Sequence, residues 1–208
     1  MSYVRPVNCR YLDPIELVWY ATARRLGLRV GRNPAIFSLT DGTGLLELGP
    51  KSTLDADDSA AQMIFHELCH WITNGEESFT LRDWGFPLDD ELDWREHACL
   101  RLQAALADGH GLRRVLAPTS PFREYYDQLP QSPFEPLDGE HNGAEILALA
   151  QAAWRRSSGP PWGDALHAAL SATARITEVI SPFLSDYATD LPDDDLPSLW
   201  ARACPSSG

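Results

Sequence analysis

Residues 57–74, DDSAAQMIFHELCHWITN, constrain this chain more than any other stretch. Asp57, Asp58 and Ser59 supply an N-cap and negative charge for a helix start, and Asn74-Gly75 supplies a C-cap. The apolar residues between them recur at helical spacing. In the middle of this helix stands His66-Glu67-Leu68-Cys69-His70, an HExxH string. Residues i and i+4 share a helix face with Cβ atoms roughly 5–6 Å apart, so both imidazoles can reach one ion at ~2.0–2.1 Å. Glu67, one step round the helix, is placed to take the proton of a metal-activated water as general base. Removing either histidine is expected to cost metal, and removing Glu67 to cost turnover.

A catalytic site needs a third protein ligand and an open position. The next helical stretch, about Asp90 to Ala107, offers Asp93, Glu96 and His97. Glu96 shares its stripe with Leu92, Cys99 and Leu100, and should face the core and the first helix. His97 shares a more polar stripe with Asp93 and Arg101. Glu96 is therefore preferred as third ligand, with His97 as the alternative. Cys69 is a poor ligand, because it is adjacent to His70 and points off the histidine face. Tyr125, Tyr126 and His110 are further polar candidates for stabilising a developing oxyanion.

The rest of the chain reads as an α+β domain. Residues 13–26 form a helix with Asp13 as N-cap and Pro14 at its first position. Short strands are expected near Leu28–Val30 and Ala35–Leu39. A turn at 40–44 then leads to a returning strand at Leu45–Leu48. Residues 116–143 contain five prolines and read as a meander with one short helix from about Thr119 to Tyr126. Two helices follow, near 144–157 and 163–180. This divides the chain into a metal-binding part, residues 1–118, and a helical C-terminal extension, 119–208, which can belong to the same domain.

Composition narrows the partners. The formal net charge is −13 and the sequence pI about 4.7. Such a surface repels phosphate backbones and anionic lipid, which speaks against nucleic acid and membrane partners and for a cationic or basic one. No run approaches ~18 apolar residues. The four cysteines, Cys9, Cys69, Cys99 and Cys204, make no CxxC pair. That usage, with no apolar signal core at the start, points to a reducing cytoplasm. Oligomeric state is not legible.

Two resemblances add to this reading. The order helix, small sheet, HExxH helix and later helix with a glutamate resembles the zincin metallopeptidases whose third ligand is Glu. It covers roughly residues 13–107. It implies a zincin-like fold, Zn2+ at His66, His70 and Glu96, Glu67 as general base, and a peptide or protein substrate. It also implies that Leu45–Leu48 is an edge strand for an extended peptide. A more local match covers about residues 35–105. His66-Glu67-Leu68-Cys69-His70-Trp71, then Gly75, then Asp83-Trp84-Gly85-Phe86, is similar to the elongation factor P hydroxylase family. That family implies a non-haem Fe2+ centre that hydroxylates a lysine-derived side chain of a protein. Two histidines and a carboxylate suit both metals. The leading expectation is a zinc-dependent metallohydrolase, most simply a peptidase. The alternatives are an iron-dependent hydroxylase and a binding module with a closed, structural metal site.

Overall fold

The computed structural model describes residues 13–54, 58–87 and 93–184, with six helices and a three-stranded sheet among them. Helix α1 spans Pro14–Arg25. The Asp13 carboxylate accepts hydrogen bonds from the backbone N–H groups of Ile15 and Glu16, and Pro14 opens the helix as expected. Strands β1 (Arg29–Arg32), β2 (Ser38–Thr40) and β3 (Leu45–Leu48) follow. Then come α2 (Ala60–Asn74), α3 (Trp94–Asp108), α4 (Ser120–Gln128), α5 (Gly143–Ser157) and α6 (Gly163–Leu184).

The sheet order is β1-β3-β2, with β3 parallel to β1 and antiparallel to β2. The β2–β3 hairpin is the returning pair read from the turn at 40–44. In one respect the sheet departs from the expectation. Leu45–Leu48 is its central strand, not an edge, because β1 occupies its other side. Backbone donors and acceptors on both sides of β3 are therefore engaged, and it offers no free edge to a peptide. Parallel pairing with β1 is non-local and leaves no turn signal, which is why the hairpin alone was legible.

Helix α2 differs from the amphipathic helix expected. Every residue from Ala60 to Thr73 is buried. It is wrapped by α1, α3, α5 and the sheet edge, so it has no solvent face. A helix buried all round must satisfy each polar group it carries. Gln62 does so in a capping box: its side chain accepts from the Ser59 N–H while Ser59 Oγ accepts from the Gln62 N–H. Of the remaining polar side chains, His66, Glu67 and His70 lie at its centre and Thr73 near its end.

One hydrophobic cluster joins Trp19 of α1, Leu46 and Leu48 of β3, Ile64, Phe65, Leu68 and Ile72 of α2, and Leu102 and Leu106 of α3. It also takes in Ala153 of α5 and Trp162, Leu166 and Leu170 at and within α6. Trp19 donates its indole N–H to Thr173 of α6 at 3.2 Å. Arg156 of α5 donates to the carbonyls of Ile72 and Thr73 at the end of α2. The first residues expected for the third helix, 90–92, lie outside the described residues; α3 itself starts after the N-cap Asp93. No helix of the described residues is long and apolar enough to cross a membrane.

Candidate metal centre

The two histidines of α2 face the first turn of α3. Glu96 lies across from them: Oε1 is 3.2 Å from His66 Nε2 and Oε2 is 2.8 Å from His70 Nε2. All three residues are buried, with 5–8% of their surface exposed. Yet His66 Nε2, His70 Nε2 and Glu96 Oε1 have no hydrogen-bond partner, since the short histidine–glutamate approaches lack a hydrogen bond's alignment. Buried polar atoms left in that state are costly, and three of them converging on one point are what a metal would satisfy. The residues fit a metal ion, and this buried cluster could bind one.

Of the third-ligand candidates, the structure brings Glu96 to the histidines and not His97. The His97 ring stacks on Tyr125 at 3.8 Å, and its Nδ1 is 3.8 Å from Glu140. Asp93 is occupied as the N-cap of α3 and as the partner of Arg95. Cys99, one turn beyond Glu96, also has its sulfur near the cluster. It behaves as a neutral thiol: it donates to the His66 carbonyl at 3.9 Å, and burial, then Glu96, push its pKa well above the usual thiol value.

The charges explain how the site survives without metal. Burial would push the His70 imidazole down, but the Glu96 carboxylate beside it, with Glu67 and Asp83 behind, holds it up at about 9. Burial would raise Glu96; the two histidines instead hold it below the ordinary carboxylate range. Each of the two residues thus favours the charged form of the other.

Glu67 is 2% exposed and fixed at both oxygens. Ser38 Oγ of β2 donates to Oε1 at 2.5 Å, and the Trp84 indole N–H donates to Oε2 at 2.8 Å. Oε2 also lies 3.9 Å from His70 Nδ1, the ring nitrogen turned away from Glu96. Asp83 completes a second cluster with Glu67 and His70. Burial, followed by the Glu67 charge, pushes its carboxyl up to about 6.

The segment after α2 builds this wall. Gly75 ends the helix at φ +95°, and a Cβ there would meet the Glu77 carboxylate at 2.9 Å. Asp83 and Trp84 both adopt left-handed backbone (φ 51° and 53°), uncommon for non-glycine residues, and Gly85 follows at φ +79°. The turn is held from both sides. Asn74 at the end of α2 donates to the Trp84 carbonyl at 2.8 Å, and Arg95 at the start of α3 donates to the Gly85 carbonyl at 3.1 Å. Trp84 then stacks on Trp71 (5.3 Å) while Phe86 stacks on the His70 ring (4.3 Å). Across the site, Phe122 of α4 stacks on the His66 ring (5.4 Å). Two phenylalanines therefore roof the two histidines.

The other polar candidates are elsewhere engaged. Tyr125 receives a hydrogen bond from Arg101 and donates to Glu140, in a network around the fully buried Arg101. Tyr126 donates to the Arg113 carbonyl, and His110 lies by His167. Sequence reasoning missed Ser38, Phe122 and Gln103, whose Oε1 is 2.8 Å from His66 Nδ1. All three meet the site through long-range packing that no local spacing encodes.

No family model matches this chain, and neither a curated protein nor a solved structure does.

Proposed function

We propose that this protein is a mononuclear non-haem iron enzyme that hydroxylates a side chain of a protein substrate, with His66, His70 and Glu96 as the metal ligands. The observation that carries the reading is where the HExxHW…Gly…Asp-Trp-Gly-Phe string falls in space. Phe86 stacks on His70, Trp84 donates to Glu67 and stacks on Trp71, Asp83 lies beside Glu67 and His70, and Gly75 and Gly85 make the turns that place them. The residues that carry the hydroxylase resemblance are thus those that build the site.

Two histidines and one carboxylate leave positions open, the arrangement that suits ferrous oxygenases. When bound, iron would supply the activation of O2. The overall change inserts one oxygen atom into a C–H bond and reduces the other to water, with two electrons and two protons from an external reductant. The chain's own residues contribute positioning. Trp84 and Ser38 fix Glu67 beside His70, with its Oε2 3.9 Å from Nδ1 of that ring. Phe86 and Phe122 keep the approach apolar and exclude water. The net charge of −13 favours a basic partner surface.

A zinc-dependent hydrolase is the second reading, and Glu67 favours it. Each of its oxygens accepts one hydrogen bond and keeps a lone pair for the proton of a water. The peptidase form of that reading loses the strand it relied on, because β3 is internal. The metal content of protein purified without an affinity tag separates the two. Near-stoichiometric iron, with O2 uptake in the presence of ascorbate that is lost in His66→Ala, supports the hydroxylase. Near-stoichiometric zinc without O2 uptake, and a hydrolytic activity lost in Glu67→Gln, would replace it.

A further inference from the structure

The ring of His66 has two nitrogens, and only one faces Glu96. The other, Nδ1, lies 2.8 Å from Oε1 of Gln103, a residue of α3 with no exposed surface. Gln103 is held in turn: its Nε2 donates to the Leu116 carbonyl at 2.8 Å. A carbonyl can only accept, so the amide nitrogen must face Leu116 and the amide oxygen must face His66. An oxygen that can only accept then requires the proton on Nδ1. Nε2, on the other side of the ring, faces Glu96 Oε1 at 3.2 Å and is then the nitrogen whose lone pair a metal would take.

We infer that Gln103 is a positioning residue that fixes the tautomer and orientation of His66, with the Leu116 carbonyl as the fixed end of the relay. The inference rests on the metal reading of His66, His70 and Glu96, but not on the reaction assigned to it. The contact is not incidental packing. A buried glutamine needs partners for both ends of its amide, and here one end is given to main chain and the other to a ligand. The chain that follows Leu116 also returns to the same imidazole. Within six residues it reaches Phe122, whose ring stacks on the His66 face. The α3–α4 connection therefore holds His66 twice, once at Nδ1 through Gln103 and once at the ring face. No such lock is made at His70, whose Nδ1 has no hydrogen-bond partner.

The test is a Co2+ titration of the metal-free full-length chain, followed by the visible absorption of the bound ion. It compares wild type, Gln103→Met and Gln103→Glu. Methionine keeps the side chain's length but offers His66 no oxygen. Glutamate keeps an acceptor for Nδ1–H and, when its other oxygen is protonated in this buried place, a donor for the Leu116 carbonyl. Gln103→Met is expected to bind Co2+ roughly 10- to 100-fold more weakly, the usual cost of losing an outer-shell partner, and Gln103→Glu to stay within a few-fold of wild type. Equal affinity of Gln103→Met and wild type would overturn the inference, as would a glutamate variant as weak as the methionine one. Should the variants fail to fold, nitrogen-15 spectra of the Zn2+-loaded wild type decide. A proton on His66 Nδ1 is expected, and a proton on Nε2 overturns the inference. A wild type that binds no Co2+ sinks the metal reading itself, an outcome distinct from the others.

Discussion

Glu96 and His97 are neighbours in sequence with opposite fates, and the helix explains why. One step along α3 turns the side chain by about 100°, taking it from the face that meets α2 to the face that meets Tyr125 and Glu140. Glu96→Gln is expected to lose stoichiometric metal. His97→Ala is expected to keep it and to lose only the Tyr125 stack, about 1 kcal/mol of stability. Elemental analysis and chemical denaturation of both variants check the pair; metal loss in His97→Ala would reverse the assignment.

The same residues set a pH dependence for the metal-free protein. His70 is raised from an ordinary 6.5 to about 9, so its contribution is complete below 6.5 and is lost as pH rises through 9. Glu96 is lowered from an ordinary 4.5, so its contribution is present above 4.5 and is lost as pH falls. Without metal, stability should therefore peak between these limits and decline toward pH 9. Asp83 acts in an earlier window: its carboxyl is raised from 3.8 to about 6, so its contribution is lost as pH rises through 6, before the His70 decline begins. With metal bound, the proton on His70 is displaced and the decline toward pH 9 should largely vanish. Thermal unfolding across pH, with and without metal, measures both curves; identical curves would mean that the ion does not sit at His70.

At the scale of elements, the ligands depend on how α2 begins. The capping box of Ser59 and Gln62 satisfies donors that burial would otherwise leave unpaired. Ser59→Ala is expected to cost about 1 kcal/mol, or roughly 2–4 °C in Tm. His66 lies about two turns further on, so metal affinity should change little. Calorimetry and a metal titration of that variant check both. Ser59 was legible as one of three cap candidates, though its partner Gln62 was not; legible too were α1 behind Asp13-Pro14, the β2–β3 hairpin around its glycines, and the face of α3 that carries Glu96. Each rests on contacts within a few residues or on helical spacing. The parallel β1–β3 pair, the complete burial of α2 and the partners of Glu67 were not legible. Ser38 is 29 residues from Glu67, and Gln103 is 37 from His66. Only the packing of separate elements brings them together. Trp84 stands between these cases. Its place in the Asp-Trp-Gly-Phe string marked it, but its bond to Glu67 depends on two left-handed residues that local pattern does not announce.

For the whole molecule, the question is whether the metal makes the fold or only occupies it. In small zinc domains the binding energy is the folding energy, and chelators unfold them. This chain differs. Its core runs from Trp19 through α2 and α3 to Leu170, and it meets the site only along one side, at Trp84, Phe86 and Cys99. The site lies between the start of α3 and the middle of α2, which pack on each other over much of their length. The His70–Glu96 approach, moreover, offsets part of the pocket's negative charge when no metal is present. Removing metal with a chelator should therefore leave the helical far-UV signal intact and lower Tm by only the binding linkage. At a free metal concentration of 100 times Kd that linkage is about 2.7 kcal/mol, or roughly 5–10 °C for a chain of this size. Circular dichroism and calorimetry on one preparation before and after chelation give both quantities. Loss of helical signal on chelation would instead mark the ion as structural, and would favour a closed metal-stabilised module over an enzyme with open positions.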